Sequence, residues 1–261
     1  MKATDTFVHV ETDAPLAVLT IDRPDALNAV DENVLGQLED ALDELEADGS
    51  VRVLIVTGTG KAFVAGGDIA AMQRMTVAEG ERFVRRGHDL LLRLERSRLV
   101  VLAAINGYAL GGGTEIALAC DLRIASERAS FGLPETTIGL FPGWGGTQRL
   151  LRLCGLGIAK DLVLTGRRID AAEALRIRLV EHVVPADGLL DAARDLGRQI
   201  AANGPVAVSQ AKKALNQGAQ MALDQAIALE IEAWLVNFGS ADRVEGLLAF
   251  LEKRKPQFSG G

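Results

Sequence analysis

Cysteine, histidine, aromatic residues and positive charge are all in short supply here, and each shortage removes a class of chemistry. Two cysteines, Cys120 and Cys154, occur in 261 residues. They form neither a CxxC pair nor the framework that staples small secreted domains. Both are expected as buried small hydrophobes rather than redox centres. The three histidines, His9, His88 and His182, are scattered. Neither HExxH nor GxSxG occurs, so a zinc site or a serine-hydrolase triad has no scaffold. With aromatic residues at 4%, the core must be built from Ala, Val, Leu and Ile. The formal net charge of −7 argues against the phosphate attraction that underlies nucleic-acid binding, although a local basic spot for one small anionic ligand stays open. No apolar run is long enough to span a bilayer. Residues 1–13 lack the apolar core of a signal peptide and the Arg-rich character of a transit peptide. A cytoplasmic location is expected, with an organelle form that has lost its presequence left open.

What the chain does have is an alternation of short apolar runs and helical periodicities. Leu16–Ile21 reads as a strand ended by Arg23-Pro24. Asp31 is placed to cap a helix carrying Val34, Leu35, Leu38, Leu42 and Leu45 on one face. Val51–Thr57 and Leu99–Ile105 read as buried strands, with an amphipathic helix marked by Phe83, Leu90, Leu91 and Leu94 between them. Such alternation predicts an α/β fold built on a covered sheet. Beyond residue 185 the pattern turns helical: 187–202, 205–218, 221–238 and 240–253, with Gly204-Pro205 as a break. The expected organisation is an α/β core over 1–195 and a helical region over 196–261.

The glycine-rich segments fail the familiar tests. Gly58-Thr59-Gly60-Lys61 lacks the Ser/Thr and upstream Gly of a P-loop, and Gly143-Trp144-Gly145-Gly146 does not complete GxGxxG. Two other segments share a different layout. Ala65-Gly66-Gly67-Asp68 follows a strand and opens a short helix, and Gly111-Gly112-Gly113-Thr114-Glu115 follows Val100–Ile105 and opens another. At such helix starts backbone N–H groups are free, and glycine lets a ligand carbonyl approach them. Two of these donors aimed at one oxygen make an oxyanion hole. Glu115 follows the second segment directly, and Glu135 follows Pro134. Alone, Glu115 reads equally as an acid stabilised by a helix dipole, and Glu135 as a solvated turn residue. Beside an oxyanion hole, a pair of carboxylates suits hydration of an activated double bond, one activating water and the other protonating carbon.

Several segments, in order, resemble the enoyl-CoA hydratase/isomerase (crotonase) family. Lys61-Ala62-Phe63-Val64-Ala65-Gly66-Gly67-Asp68-Ile69 is similar to its first oxyanion segment, and Asn106–Glu115 to its second. Phe131-Gly132-Leu133-Pro134-Glu135, Gly139–Leu150, Leu164-Thr165-Gly166 and Phe250–Pro256 also fit, so the likeness runs from Leu16 to Pro256. The resemblance implies a spiral of ββα units, a C-terminal trimerisation region, and homotrimers paired into hexamers. It implies that Gly67 and Gly112 supply the N–H groups that hold a thioester oxygen. Glu at both 115 and 135 points to an enoyl-CoA hydratase, a lyase acting in fatty-acid β-oxidation or related acyl-CoA degradation. Coenzyme A is then part of the substrate, and no metal or redox cofactor is expected. Lys61, Ala65, Gly66, Asp68, Ile69, Trp144, Phe250 and Lys253 are the candidate CoA- and substrate-binding residues, the last two reaching a neighbouring subunit's CoA. In the family many hydratases have Ala where Gly67 stands, Lys where Ala70 stands, and a small residue where Trp144 stands. Lys61 and Arg74 are candidates to compensate for the missing Lys; Trp144 reads either as packing or as a wall of the acyl pocket. A 3,2-enoyl-CoA isomerase, a non-catalytic CoA-ester or RNA-binding relative, and a bare trimer scaffold are the rival readings. The acidic balance argues against RNA and the paired glutamates against a scaffold; neither nucleic acid nor membrane is expected as a partner.

Overall fold

Uninterrupted apolar runs such as Val53-Leu54-Ile55-Val56 demand cover on both faces of a sheet. The structure, a computed structural model, describes residues 5–261 and shows how that cover is provided. A hairpin of β1 (Val8–Asp13) and β2 (Leu16–Ile21) leads to α1 (Glu32–Ala47). Asp31 caps α1 as expected, its Oδ1 accepting from the N–H groups of Asn33 and Val34. Next come β3 (Val53–Gly58), β4 (Ala62–Val64), α2 (Ile69–Met72) and α3 (Val77–Arg96). They are followed by β5 (Val100–Ile105), β6 (Tyr108–Leu110) and α4 (Gly112–Ala119). Strands β7 (Leu122–Ser126) and β8 (Ser130–Gly132) lead into a 3-10 turn, Pro134–Ile138, and then α5 (Gly146–Cys154) and α6 (Leu156–Thr165). After β9 (Arg168–Asp170), α7 (Ala171–Arg176) and β10 (His182–Val184), the chain is helical: α8 (Leu189–Ala201), α9 (Pro205–Gly218), α10 (Leu223–Phe238) and α11 (Ala241–Glu252).

The large sheet has the order β1-β2-β3-β5-β7-β10, and the small one β4-β6-β8-β9. The first strand of each pair, β3, β5 or β7, joins the large sheet, and the second, β4, β6 or β8, joins the small one. This is the spiral of ββα units. Strand alternation sends Val53, Ile55, Val100, Leu102 and Ile124 to one side of the large sheet, under Leu189, Ala193 and Ala201 of α8. Leu54, Val56, Val101, Ala103 and Ile105 face the opposite way, onto the apolar stripes of α1, α3 and α4. Position 195, the expected divide, falls inside α8, which packs on the sheet, and Val208 of α9 packs against the same face. The physical reason is that this face of the sheet would otherwise be bare.

Lys212 of α9, only 8% exposed, anchors the helical region to the core. Its Nζ donates to Leu99 O (2.6 Å) and Leu94 O (3.1 Å) and pairs with Asp121 Oδ2 at 2.7 Å. Cys120 is buried as expected, whereas Cys154 is only half-buried, because α5 turns its side chain to the edge of the core. Burial pushes the two thiols up to about 12 and about 11, so neither ionises near neutrality. No helix among the described residues is long and apolar enough to cross a membrane.

Candidate active site

Because β4, β6 and β8 run parallel in one sheet, their C-terminal ends lie on one edge. Gly66-Gly67 follows β4, Gly111-Gly112 follows β6, and Glu135 lies in the turn after β8. The first two turns touch. A Cβ added to Gly112 would stand 3.6 Å from Gly66 Cα, and one added to Gly66, at φ +102, would stand 3.2 Å from Leu110 O. Val30 pins the first turn: its N–H donates to Gly66 O and its carbonyl accepts from Asp68 N, both at 2.9 Å. Among the described residues, the N–H groups of Gly67 and Gly112 donate to no protein acceptor. Gly112 is the first residue of α4, where the helix dipole adds to the pull on an anion.

Helix α4 begins at Gly112, so Glu115 sits within its first turn, 2% exposed, with its side chain beneath the loop before α5. Its Oε1 accepts from Trp144 N and Gly146 N, both at 2.7 Å. Burial pushes the carboxyl up to about 7; the Gly146 N–H opposes this, the charge of Glu135 adds to it, and the Trp144 N–H and Arg149 oppose it more weakly. Glu135 is far from the solvated turn residue it resembles in isolation. Its Oε1 would lie 2.9 Å from a Cβ on Gly111, so this carboxylate reaches the second turn only because residue 111 is glycine. Its Oε2 is buried and has no hydrogen-bond partner. Burial again raises its proton affinity. Two carboxylates with raised pKa values beside two free N–H donors are equipped to take a proton from water and give one to carbon.

Trp144 is packed between α3 and the second glycine turn. Its ring is 5% exposed, tilts against Phe83 with centroids 5.1 Å apart, and would lie 2.2 Å from a Cβ on Gly87 and 3.2 Å from one on Gly112. Around the first turn, Ala65 N donates to Leu27 O at 3.0 Å, and Ile69 is 55% exposed. The Asp68 carboxylate is committed within the protein. It caps α2 by accepting from Ala71 N at 3.1 Å and pairs with Arg23 at 2.8 Å, and these contacts, the Ala71 N–H foremost, lower its pKa. Its N–H and carbonyl are engaged too, with Val30 O and Met72 N, both at 2.9 Å.

Three candidates are not brought together with the rest. Lys61 is exposed and precedes β4, so three strand residues, roughly 10 Å, separate it from the glycine edge. Contact of Lys61 with a ligand would therefore be with a part that extends away from the oxyanion hole. Phe250, 81% exposed, and Lys253, which ends α11 in a left-handed conformation, make no hydrogen bond or ion pair with the site segments among the described residues. Gly111, Gly87, Phe83 and Arg149 carry no assigned role in the sequence reading. A glycine at 87, amid the amphipathic pattern of α3, is the one visible hint that something large lies against that helix.

Comparison with known proteins adds to this geometry. A family model described as enoyl-CoA hydratase/isomerase matches residues 11–261. A short-chain-enoyl-CoA hydratase of Clostridium acetobutylicum is 47% identical over 249 residues, covering 95% of both chains. A crotonyl-CoA hydratase of Syntrophomonas wolfei is 44% identical over 252 residues, covering 96% of this chain and 97% of its own. The crystal structure of an enoyl-CoA hydratase from Bacillus anthracis, 41% identical, matches with a TM-score of 0.95 and covers 98% of this chain and 100% of its own.

Proposed function

The chain belongs to the enoyl-CoA hydratase/isomerase family, and from that premise we propose that it adds water reversibly across the double bond of a trans-2-enoyl-CoA, giving a 3-hydroxyacyl-CoA. The observation that carries hydration over other reactions of the family is the pair of glutamates, Glu115 buried and held by two amides and Glu135 half-buried with a buried oxygen that has no partner. The thioester carbonyl accepts hydrogen bonds from Gly67 N–H and Gly112 N–H, which stabilise the enolate-like charge that grows on its oxygen. Glu115, fixed through Oε1, orients the water and takes its proton as it attacks the β-carbon. Glu135 protonates the α-carbon, and the steps reverse in dehydration. The thioester is the electron sink, so the reading needs no metal or redox cofactor.

The backbone of Ala65–Ile69 is the proposed contact for the CoA arm. The reading also includes a cytoplasmic enzyme of acyl-CoA degradation, assembled as a trimer or a pair of trimers. Exposed apolar side chains on α10 (Ile231, Trp234, Leu235) and α11 (Leu247, Phe250, Leu251) support assembly. Phe250 and Lys253 then serve the CoA of a neighbouring subunit.

The test is turnover of crotonyl-CoA, read as loss of the conjugated enoyl absorbance and a mass gain of one water. Glu115→Gln and Glu135→Gln are each expected to lose roughly 10²–10⁴-fold, and the double variant far less than the product of the two. Full hydration by Glu115→Gln would overturn the two-carboxylate mechanism and leave Glu135 as the only working acid, whereas a double-bond shift in the parent without mass gain would make the protein a 3,2-enoyl-CoA isomerase.

A further inference from the structure

Of the two amides that hold Glu115, that of Gly146 opens α5, while that of Trp144 lies in an irregular loop, residues 141–145, with no ladder of its own to fix it. A side chain from the first turn of α5 supplies the restraint. Arg149 Nη1 donates to Trp144 O at 2.7 Å, while its Nε and Nη2 donate to Glu95 Oε1 and Oε2 at 2.7 and 3.2 Å. The guanidinium is 13% exposed. Gly145 lies at φ +94, and a Cβ there would stand 2.3 Å from Arg149 Nη1, so glycine is needed for the guanidinium to press against the loop. Glu95 belongs to α3, the same helix whose Phe83 and Gly87 receive the Trp144 ring. Residue 144 is therefore held three ways: by its ring, by its carbonyl, and by its N–H on Glu115.

We propose that Arg149, oriented by Glu95, is a positioning residue that fixes the Trp144 carbonyl and so aims the N–H groups of Trp144 and Gly146 at Glu115 Oε1. It touches neither the reacting water nor the thioester. The assignment rests on the reading of Glu115 as the carboxylate that activates water. Charge acts in the same direction as geometry. The ionisable groups around Glu115 are Glu135 from the turn after β8, Arg149 from α5, and His88 and Glu95 from α3, with His88 lying against Gly145. Glu135 disfavours ionised Glu115, and Arg149 favours it. Loss of the guanidinium loosens the loop and makes the carboxylate harder to ionise.

The experiment compares the parent with Arg149→Met, Arg149→Lys and Glu95→Gln. Hydration of crotonyl-CoA is followed against pH, and the Glu115 carboxyl is titrated by ¹³C NMR, assigned with Glu115→Gln. In Arg149→Met, kcat is expected to fall roughly 10–100-fold, the usual effect of removing a supporting partner, with KM little changed. The acidic limb of the rate profile and the Glu115 titration should both move to higher pH. Arg149→Lys keeps the charge but cannot hold the Glu95 fork and the carbonyl together; it should restore the titration and only part of kcat. Glu95→Gln should lower kcat in the same sense and serves if Arg149→Met does not fold. An unmoved Glu115 titration in a folded Arg149→Met, or a change confined to KM, overturns the proposal. The titration needs no turnover, so a parent that fails to hydrate crotonyl-CoA would refute the hydratase reading without deciding the role of Arg149.

Discussion

Side chains at the site do their work by being denied water or room. Trp144 shows this most directly, since its indole fills the space between Gly87, Phe83 and Gly112. With the ring as a wall of the acyl pocket, an acyl chain extending past the carboxylates would meet it, and shortening the side chain should open a path. We expect Trp144→Ala to raise kcat/KM for eight-carbon and longer 2-enoyl-CoA by about 10-fold or more relative to crotonyl-CoA, given what single methylenes are worth in an apolar pocket. Because a buried Trp→Ala exchange also costs ~3–5 kcal/mol of stability, Trp144→Leu is the control; an unchanged chain-length profile in both would make the ring plain packing. At this scale the sequence was informative about identity and mute about contact. Glu115, Gly67 and Gly112 stand in segments whose order gives them away. The partners that set their behaviour come from far along the chain: Glu95 on α3 for Arg149, Gly111 for Glu135, Val30 for the first turn. Nothing in local spacing announces those pairings.

Elements meet so tightly here that a few glycines decide whether they meet at all. A Cβ on Gly113 in α4 would sit 1.8 Å from Val64 O at the end of β4, so the helix and the strand touch backbone to backbone. Gly113→Ala should therefore cost at least ~3 kcal/mol through overpacking and drive the glycine edge apart. Gly80 in α3 has nothing within 4 Å of its added Cβ, and Gly80→Ala should stabilise by about 0.5–1 kcal/mol by removing unfolded-state freedom. Urea titration of both variants checks the contrast; equal effects would mean that the α4–β4 approach is slack. Helices were the most legible elements: the caps at Asp31 and Pro205 and the 3.6-residue stripes carry their boundaries locally. The short strands β4, β6, β8 and β9 were not read as a sheet. Each spans three residues, too few to show alternation, and each pairs with a strand well beyond its neighbourhood in the chain, as Ala62 with Tyr108 and Ser130 with Asp170.

For the whole molecule, the exposed apolar faces of α10 and α11 are what the proposed assembly would cover. The native mass is expected at three or six times 27.7 kDa, with a melting temperature that rises with protein concentration. An active, monodisperse monomer in light scattering would reject that assembly. One feature of the architecture bears on how such a protein can change over generations. The proposed donors for the thioester oxygen are main-chain groups, borne on the ends of β4 and β6, while the proposed proton-handling groups are side chains, one of them on the separate unit that follows β8. Codon changes can replace either glutamate, yet among them only a change to proline deletes an N–H. The capacity to stabilise an enolate is thus heritable almost independently of the capacity to move protons, and a lineage could exchange the second while retaining the first.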